Sequence, residues 1–526
     1  MIDADLIKDN FGYLGHDAAA AYPDKTVFFD LTGAAERQVT YAELEERQNR
    51  FAALTATLGL KPGDRMAMAV GNRFEFVEIM YGAMRAGVVP VPLNTKLGGE
   101  TLDYIIRDAG CRVAVVEPAC NPDIVAVADA LDLDAKLALG EVPAGWRDYE
   151  AALAEATPDY TPPRIGPDHP SFQPYTSGST GRPKGVVLTH GGQNWWIRAE
   201  QKYWPCSPDQ RALAAVPLYH KNAMAGAVKP MLQVGGSVVI LRDFEPRRFL
   251  TALSEYRCTY AGAVPAVFTM LLKHRDLIDS LDFSALQSLT LGSAPVQKEL
   301  MNQVKEAFGV RLGESYGLTE GGPVMIGPPV DGREVPFGSC GVAWPEGEVK
   351  LVDTDGREHP SDGELWVRNP GVTPGYYNLP EVNAKRLKDG WLATGDLFHR
   401  DAQGFFYFRG RTDDMFNCGG ENIYPKEVEN LLISHPAVYD ASVVPVSHPV
   451  KGDVPVAMVM LKADGDADEK ALKDWCLKNG PAYAHPRRVE VVREMPLNGA
   501  GKVDRTRVRQ LLTEKFAADI AQRATA

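Results

Sequence analysis

At 526 residues and 45% hydrophobic content, the chain is too long for one ordinary core and has the composition of a soluble globular protein. Its net charge of -13 leaves no basic footprint for nucleic acid or anionic lipid. Seven scattered cysteines without a C-x-x-C pair exclude a disulfide framework or zinc site and point to reduced thiols in a cytoplasmic protein.

The N-terminal MIDADLIKDNFGYLGHD carries early acids and no apolar h-region, so no signal peptide is expected. No later run is long enough to span a bilayer. Residues 39–59 place apolar side chains at helical spacing and stop at Gly59. DRMAMAVG (64–71) reads as a buried strand, 73–87 as a helix, and VVPVPLN as strand and turn. DYIIRDAG followed by CRVAVVE repeats the helix–strand order, which argues for a parallel sheet with helices on its faces. The Ala-, Pro- and Asp-rich residues 140–168 read as a loose connection. A second strand–helix series runs over 211–312, and short strands with turns over 336–410 suggest a small β-rich unit. The last hundred or so residues mix helix and strand as a separate α+β domain, with a fraying helix at the end. The expected fold is a large α/β domain over 1–411 and a small mobile α+β domain over 412–526.

Residues 175–185, YTSGSTGRPKG, concentrate small donors around one lysine. Glycines let backbone amides approach a ligand, hydroxyls add donors, and successive N–H groups form an anion-binding concavity. Lys184 adds a mobile charge suited to phosphate. The spacing is not that of a Walker A loop, because five residues on from Gly178 stands Pro183 and Gly185 follows Lys184. A polyphosphate cradle and a flexible linker both fit this stretch taken alone.

The stretch resembles the phosphate loop of adenylate-forming enzymes, a superfamily that includes acyl- and aryl-CoA synthetases, peptide-synthetase adenylation domains and luciferases. Other words resemble the same superfamily in order: PLYHKNAM, GSAPV, GESYGLTE, LATGD, RGRTDD, MFNCGGENIYPKEVE and PLNGAGKVDR. The resemblance spans nearly the whole chain and points to the acid–CoA ligase branch. It implies that Thr176, Ser177, Gly178, Ser179, Thr180, Gly181 and Lys184 hold ATP phosphates. Gly292, Ser293, Ala294 and Pro295, with Glu314, Ser315, Tyr316 and Gly317, would line the nucleotide. Thr319 would contact the α-phosphate, Glu320 would hold Mg2+, Asp396 would accept from the ribose hydroxyls, and Arg411 would make a second ribose and phosphate contact.

The same resemblance makes Lys502 the catalytic lysine between carboxylate and α-phosphate, with Thr319, Glu320 and His220 as its catalytic companions. It assigns the acyl pocket to His220, Lys221, Asn222, Met224, Ala263, Val264, Gly317 and Gly322. Cys418, Gly419, Gly420 and Glu421 would serve coenzyme A, and Asp413 would be the hinge. The implied reaction joins a carboxylic acid to coenzyme A through an acyl-AMP, using ATP and Mg2+, with an aromatic (hydroxycinnamate- or benzoate-like) or medium-chain acid as substrate. A lysine acetyltransferase and deacetylase acting on Lys502 would be regulatory partners. Two alternatives are an adenylation enzyme that loads a carrier protein and an inactive nucleotide-binding relative. Lys221, where a pairing acid would suit an amino-acid substrate, and the retained Lys184, Glu320, Asp396, Arg411 and Lys502 argue against them. Oligomeric state is not legible.

Overall fold

The computed structural model describes residues 3–176, 182–220, 223–292, 296, 298–462, 465–497 and 503–525, with backbone only at 323–324, 521 and 523–525. Two compact units emerge: Met1–Val349 with Trp366–Thr394, and Lys350–Leu365 with Gly395–Ala526.

The first unit holds two large sheets. One has seven strands in the order 311–313, 288–291, 260–263, 211–214, 237–240, 26–30 and 37–40. Its neighbours run parallel except for the last pair, 26–30 with 37–40. The other has five parallel strands in the order 89–92, 65–69, 111–116, 135–138 and 147–148. Alternation along each strand fixes the layers. Val238 and Ile240 join one core with Met66, Met68, Val113 and Val115 of the other sheet. Val239 and Leu241 point to the opposite face, under Phe249, Leu253, Phe268 and Val304. Ala67, Ala69 and Val91 likewise face Leu102, Ile105 and Ile106. Helices therefore lie between the sheets and outside each of them, as the alternating strand–helix pattern predicts.

Helix Tyr41–Thr57 starts where Thr40 accepts a hydrogen bond from the Glu43 N–H, and Gly59 follows with φ 76°. Helix Phe74–Arg85 is buried along its whole length. Its charges are paired: Arg47 donates to Glu78, Arg73 to Glu75 (2.8 Å), and Arg85 to Glu45 (2.5 Å). The supposed loose connection over 140–168 contains a helix, Tyr149–Glu155. Asp148 caps it at the Ala151 N–H (2.7 Å), and Tyr149 is fully buried with its hydroxyl on Glu78.

The second unit builds its core on a sheet ordered 421–423, 416–418, 452–461 and 438–448, with 488–492 added parallel to 452–461. Helices Pro425–Ile433, Glu469–Asn479 and Arg505–Thr525 belong to this unit. Pro425 opens its helix, as expected of the first helical position. The terminal helix does not simply fray: Val508, Leu512, Phe516 and Ile520, spaced by four, are buried in this core. The expected class, α/β followed by α+β, is the one observed. Among the described residues no helix is long and apolar enough to cross a membrane.

Candidate active site

In the first unit, strands Arg311–Gly313, Ser288–Leu291, Tyr260–Ala263 and Arg211–Ala214 are parallel neighbours, so their carboxyl ends share one edge. The chain leaves them into Glu314, Gly292, Val264 and, a few residues on, His220. Residues assigned from scattered sequence words thus meet where open parallel sheets bind ligands. Burial pushes the Glu314 carboxyl up to about 7. The His220 ring lies 4.8 Å from that of Tyr219, and Met224 begins a buried π-helical turn, Met224–Val228. Ser293, Ala294, Pro295, Lys221 and Asn222 lie outside the described residues.

One row across this edge lacks bulk. Gly262, Thr290 and Gly313 are register partners on adjacent strands. A Cβ at Gly262 would come within 2.9 Å of Thr290 Oγ1, and one at Gly313 within 3.2 Å of Thr290 Cγ2. Tyr260 and Thr290 share a hydroxyl–hydroxyl bond of 2.6 Å.

The strands on either side of the glycine-rich stretch, Tyr175–Thr176 and Lys184–Gly185, pair antiparallel and form a first hairpin. Thr176 pairs with Lys184 and Tyr175 with Gly185. Ser177, Gly178, Ser179, Thr180 and Gly181 lie outside the described residues. The Tyr175 hydroxyl donates to Asp108 (2.6 Å) and holds the outgoing strand. Gly185 has no room for a side chain, because a Cβ would sit 2.7 Å from Gln173 Nε2 and 2.9 Å from Tyr175 Cζ.

Residues 316–318 and 322–327 form a second hairpin with Thr319, Glu320 and Gly321 at its tip, and Gly322 adopts φ 101°. Glu320 Oε1 accepts a 2.9 Å hydrogen bond from the Tyr376 hydroxyl, while its carbonyl accepts from the Thr373 N–H (2.6 Å). Segment 373–377 also ties back to the first hairpin. The Tyr377 N–H donates to the Gly185 carbonyl (2.8 Å), and the Thr373 hydroxyl donates to the Val187 carbonyl (2.6 Å). Lys184 Nζ stands 5.8 Å from the centre of the Tyr376 ring. A cation, an aromatic ring and a carboxylate therefore form one connected row. Burial, reinforced by the Glu320 charge, pushes the Tyr376 hydroxyl above its ordinary range and keeps it a donor. The sequence reading missed Thr373 and Tyr376. The available signal was TPGYYN, where Gly375 sits in a sharp turn with φ 154° and Asn378 is left-handed at φ 54°.

Glu320 suits magnesium. It is a hard oxygen donor with one oxygen turned to Tyr376, and among the described residues no cluster of three acidic, His or Cys groups forms an all-protein cage. Such a site matches a cation that keeps its waters and takes its remaining oxygens from substrate phosphates.

In the second unit, Asp396 and Arg411 are register partners on strands Trp391–Arg400 and Phe406–Arg411 and form a 3.0 Å ion pair. Asp396 is buried and Arg411 is not, and the same guanidinium reaches Asp413 at 3.8 Å. Gly395, inside the same strand, adopts φ 75° just before Asp396. Gly419 and Gly420, both with positive φ, are the two-residue turn of a hairpin in which Cys418 pairs with Glu421. Cys418 is buried in this unit's core and Glu421 is exposed. Lys502 lies outside the described residues. On either side of it, Leu497 bridges Val503 and the Asp504 N–H donates to the Pro496 carbonyl (2.8 Å).

Residues 16–377 match the AMP-binding enzyme family, and residues 427–502 match the AMP-binding enzyme C-terminal domain. The chain is 36% identical to a feruloyl-CoA synthase of Amycolatopsis sp over 479 residues, 90% of this chain and 94% of that one. It is 33% identical to an indoleacetate–CoA ligase of Aromatoleum aromaticum over 484 residues, 91% of this chain and 94% of that one. The ATP-bound crystal structure of MatB from Rhodopseudomonas palustris superposes with a TM-score of 0.86 at 29% identity, covering 97% of this chain and 99% of that one. With ordered motifs, a shared fold and both domain matches in agreement, the chain belongs to the AMP-binding enzyme family.

Proposed function

We propose that the chain is an ATP-dependent acid–CoA ligase for aromatic carboxylic acids. The observation that carries this reading is the Lys184–Tyr376–Glu320 row beside the carboxyl edge of the large sheet: a phosphate-seeking cation and a metal-seeking acid held in place by one tyrosine. The relatives named above, which act on feruloyl and indoleacetate groups, support an aromatic acid over an aliphatic one.

In this reading, Thr176, Ser177, Ser179, Thr180 and Lys184 hold the β- and γ-phosphates of ATP. A carboxylate oxygen attacks the α-phosphorus, and the bond to pyrophosphate breaks. The carboxylate is a weak nucleophile, so positioning and charge neutralisation supply most of the rate. Glu320 would hold magnesium, whose charge would offset that on the departing pyrophosphate. Thr319 and His220 orient the α-phosphate and the carboxylate, and Lys502 stabilises the charge that grows between them. Asp396 and Arg411 take the ribose. The coenzyme A thiolate then attacks the acyl carbon along the Gly419–Gly420 hairpin and AMP leaves, with Asp413 as the hinge between the two half-reactions. A cytoplasmic location, with its cysteines reduced, and acetylation of Lys502 as an off-switch belong to the same reading.

A screen of pyrophosphate release with aryl, hydroxycinnamic, fatty, dicarboxylic and amino acids, with and without coenzyme A, tests it. The reading expects coenzyme-A-dependent thioester with aromatic acids. Pyrophosphate release without thioester, or release with amino acids alone, overturns it.

A further inference from the structure

Besides His190 Nε2 at its first residue, helix His190–Tyr203 carries two buried polar atoms without a hydrogen bond that nothing above uses. The Trp196 side chain is fully buried, and its Nε1 has no hydrogen-bond partner among the described residues. One turn further, Glu200 is 7% exposed and its Oε2 is likewise unpartnered. Residues four apart lie on the same helical face. A buried polar group left unpaired costs stability, so two of them one turn apart call for an explanation.

The charge nearest to hand does not supply one. Buried Lys229 acts on Glu200 through its field, but its ammonium donates to Gln193 Oε1 (2.6 Å) and lies among the rings of Phe172 (4.9 Å), Phe11 (5.1 Å) and Trp196 (5.5 Å). Burial pushes the Glu200 carboxyl well above its ordinary range, which favours the protonated acid, a group that both donates and accepts.

Trp196 lies against Gly322, which the resemblance assigns to the acyl pocket. A Cβ at Gly322, assigned to the acyl pocket, would lie 4.0 Å from Trp196 Cδ1, the carbon bonded to the unpartnered nitrogen. The field of Glu200 also reaches Tyr260, on the strand that ends at Ala263. Trp204, directly after the helix, packs edge-on against Tyr260 with ring centres 5.4 Å apart. A donor and a donor–acceptor side by side fit a hydroxyl, which accepts from the indole N–H and donates to the carboxyl.

We propose that Trp196 and Glu200 form a polar end to the acyl pocket that recognises a hydroxyl on the ring of an aromatic acid. This rests on the ligase reading and on Gly322 lying in the acyl pocket.

The test is a calorimetric titration of the purified full chain with 4-hydroxycinnamate and with cinnamate, in wild type, E200Q, E200L and W196F. Wild type binds the hydroxylated acid roughly 10- to 100-fold tighter. E200L erases that ratio without weakening cinnamate, W196F reduces it, and E200Q, which keeps a donor and an acceptor, retains most of it. Equal affinities in wild type, or an equal loss for both acids in E200L, overturn the proposal. Because Oε2 has no hydrogen bond to lose, E200L melts close to the wild-type temperature; a drop shared by E200L and E200Q marks a structural acid and also overturns it. Thioester formation is read separately: the expected binding ratio without thioester sinks the ligase reading alone, and thioester formed from both acids with equal kcat/KM sinks the polar end alone.

Discussion

Glu320 and Asp396 are held by the protein itself, the first by Tyr376 and the second by Arg411, whereas Glu200 in the first unit has a carboxyl oxygen with no partner. The two acids proposed for the nucleotide side are oriented by the protein itself, which lowers the reorganisation needed for charge chemistry. An acid waiting for a donor on its substrate cannot be satisfied in advance without losing its selectivity. Held acids should therefore govern rate and nucleotide affinity, and the unheld acid the choice of carboxylic acid.

Substitutions can break this division in order of expected effect. K502A should slow adenylation about 10²–10³-fold and spare thioester formation from supplied acyl-AMP; equal damage to both half-reactions removes Lys502 from its assigned role. D396N should raise the KM for ATP by about 10- to 100-fold and leave the KM for the acid unchanged, because it removes a buried charged acceptor. Y376F takes away only the hydroxyl that holds Glu320. It should raise the half-saturating Mg2+ concentration about 3- to 10-fold with an unchanged acid KM, measured by Mg2+ titration of turnover.

The smallest effect concerns pH. Glu314 stands near 7 when folded against an ordinary 4.5, so between those values the folded protein holds a proton that the unfolded chain has released. Wild-type stability should therefore fall as pH rises through this window. E314Q should melt like wild type at about pH 5 and increasingly above it toward about pH 8, in thermal unfolding followed against pH.

The parts of the molecule legible in sequence are those built from neighbours in the chain. Helix Tyr41–Thr57 has its cap and periodicity within one stretch, and strand Arg65–Ala69 follows from one short apolar run. Helix Tyr149–Glu155 was illegible because seven Ala-rich residues carry little periodicity; a buried tyrosine bonded to Glu78, far off in sequence, secures it. The terminal helix read as fraying because its buried stripe matters only once the sheet of the second unit is present. Tyr376 was missed since its task is visible only when Glu320, far upstream, is placed against it. Trp196 and Glu200 sit in a helix whose pattern looks ordinary, and only the burial of their polar atoms sets them apart.

The most direct test of the central claim, that the Glu320 hairpin serves adenylation of an aromatic acid, is exchange of labelled pyrophosphate into ATP without coenzyme A. Wild type with 4-hydroxycinnamate should exchange, and E320Q should fall by about 10²–10³-fold while remaining folded. Exchange in E320Q at the wild-type rate, or none in wild type with any aromatic acid, would contradict the account.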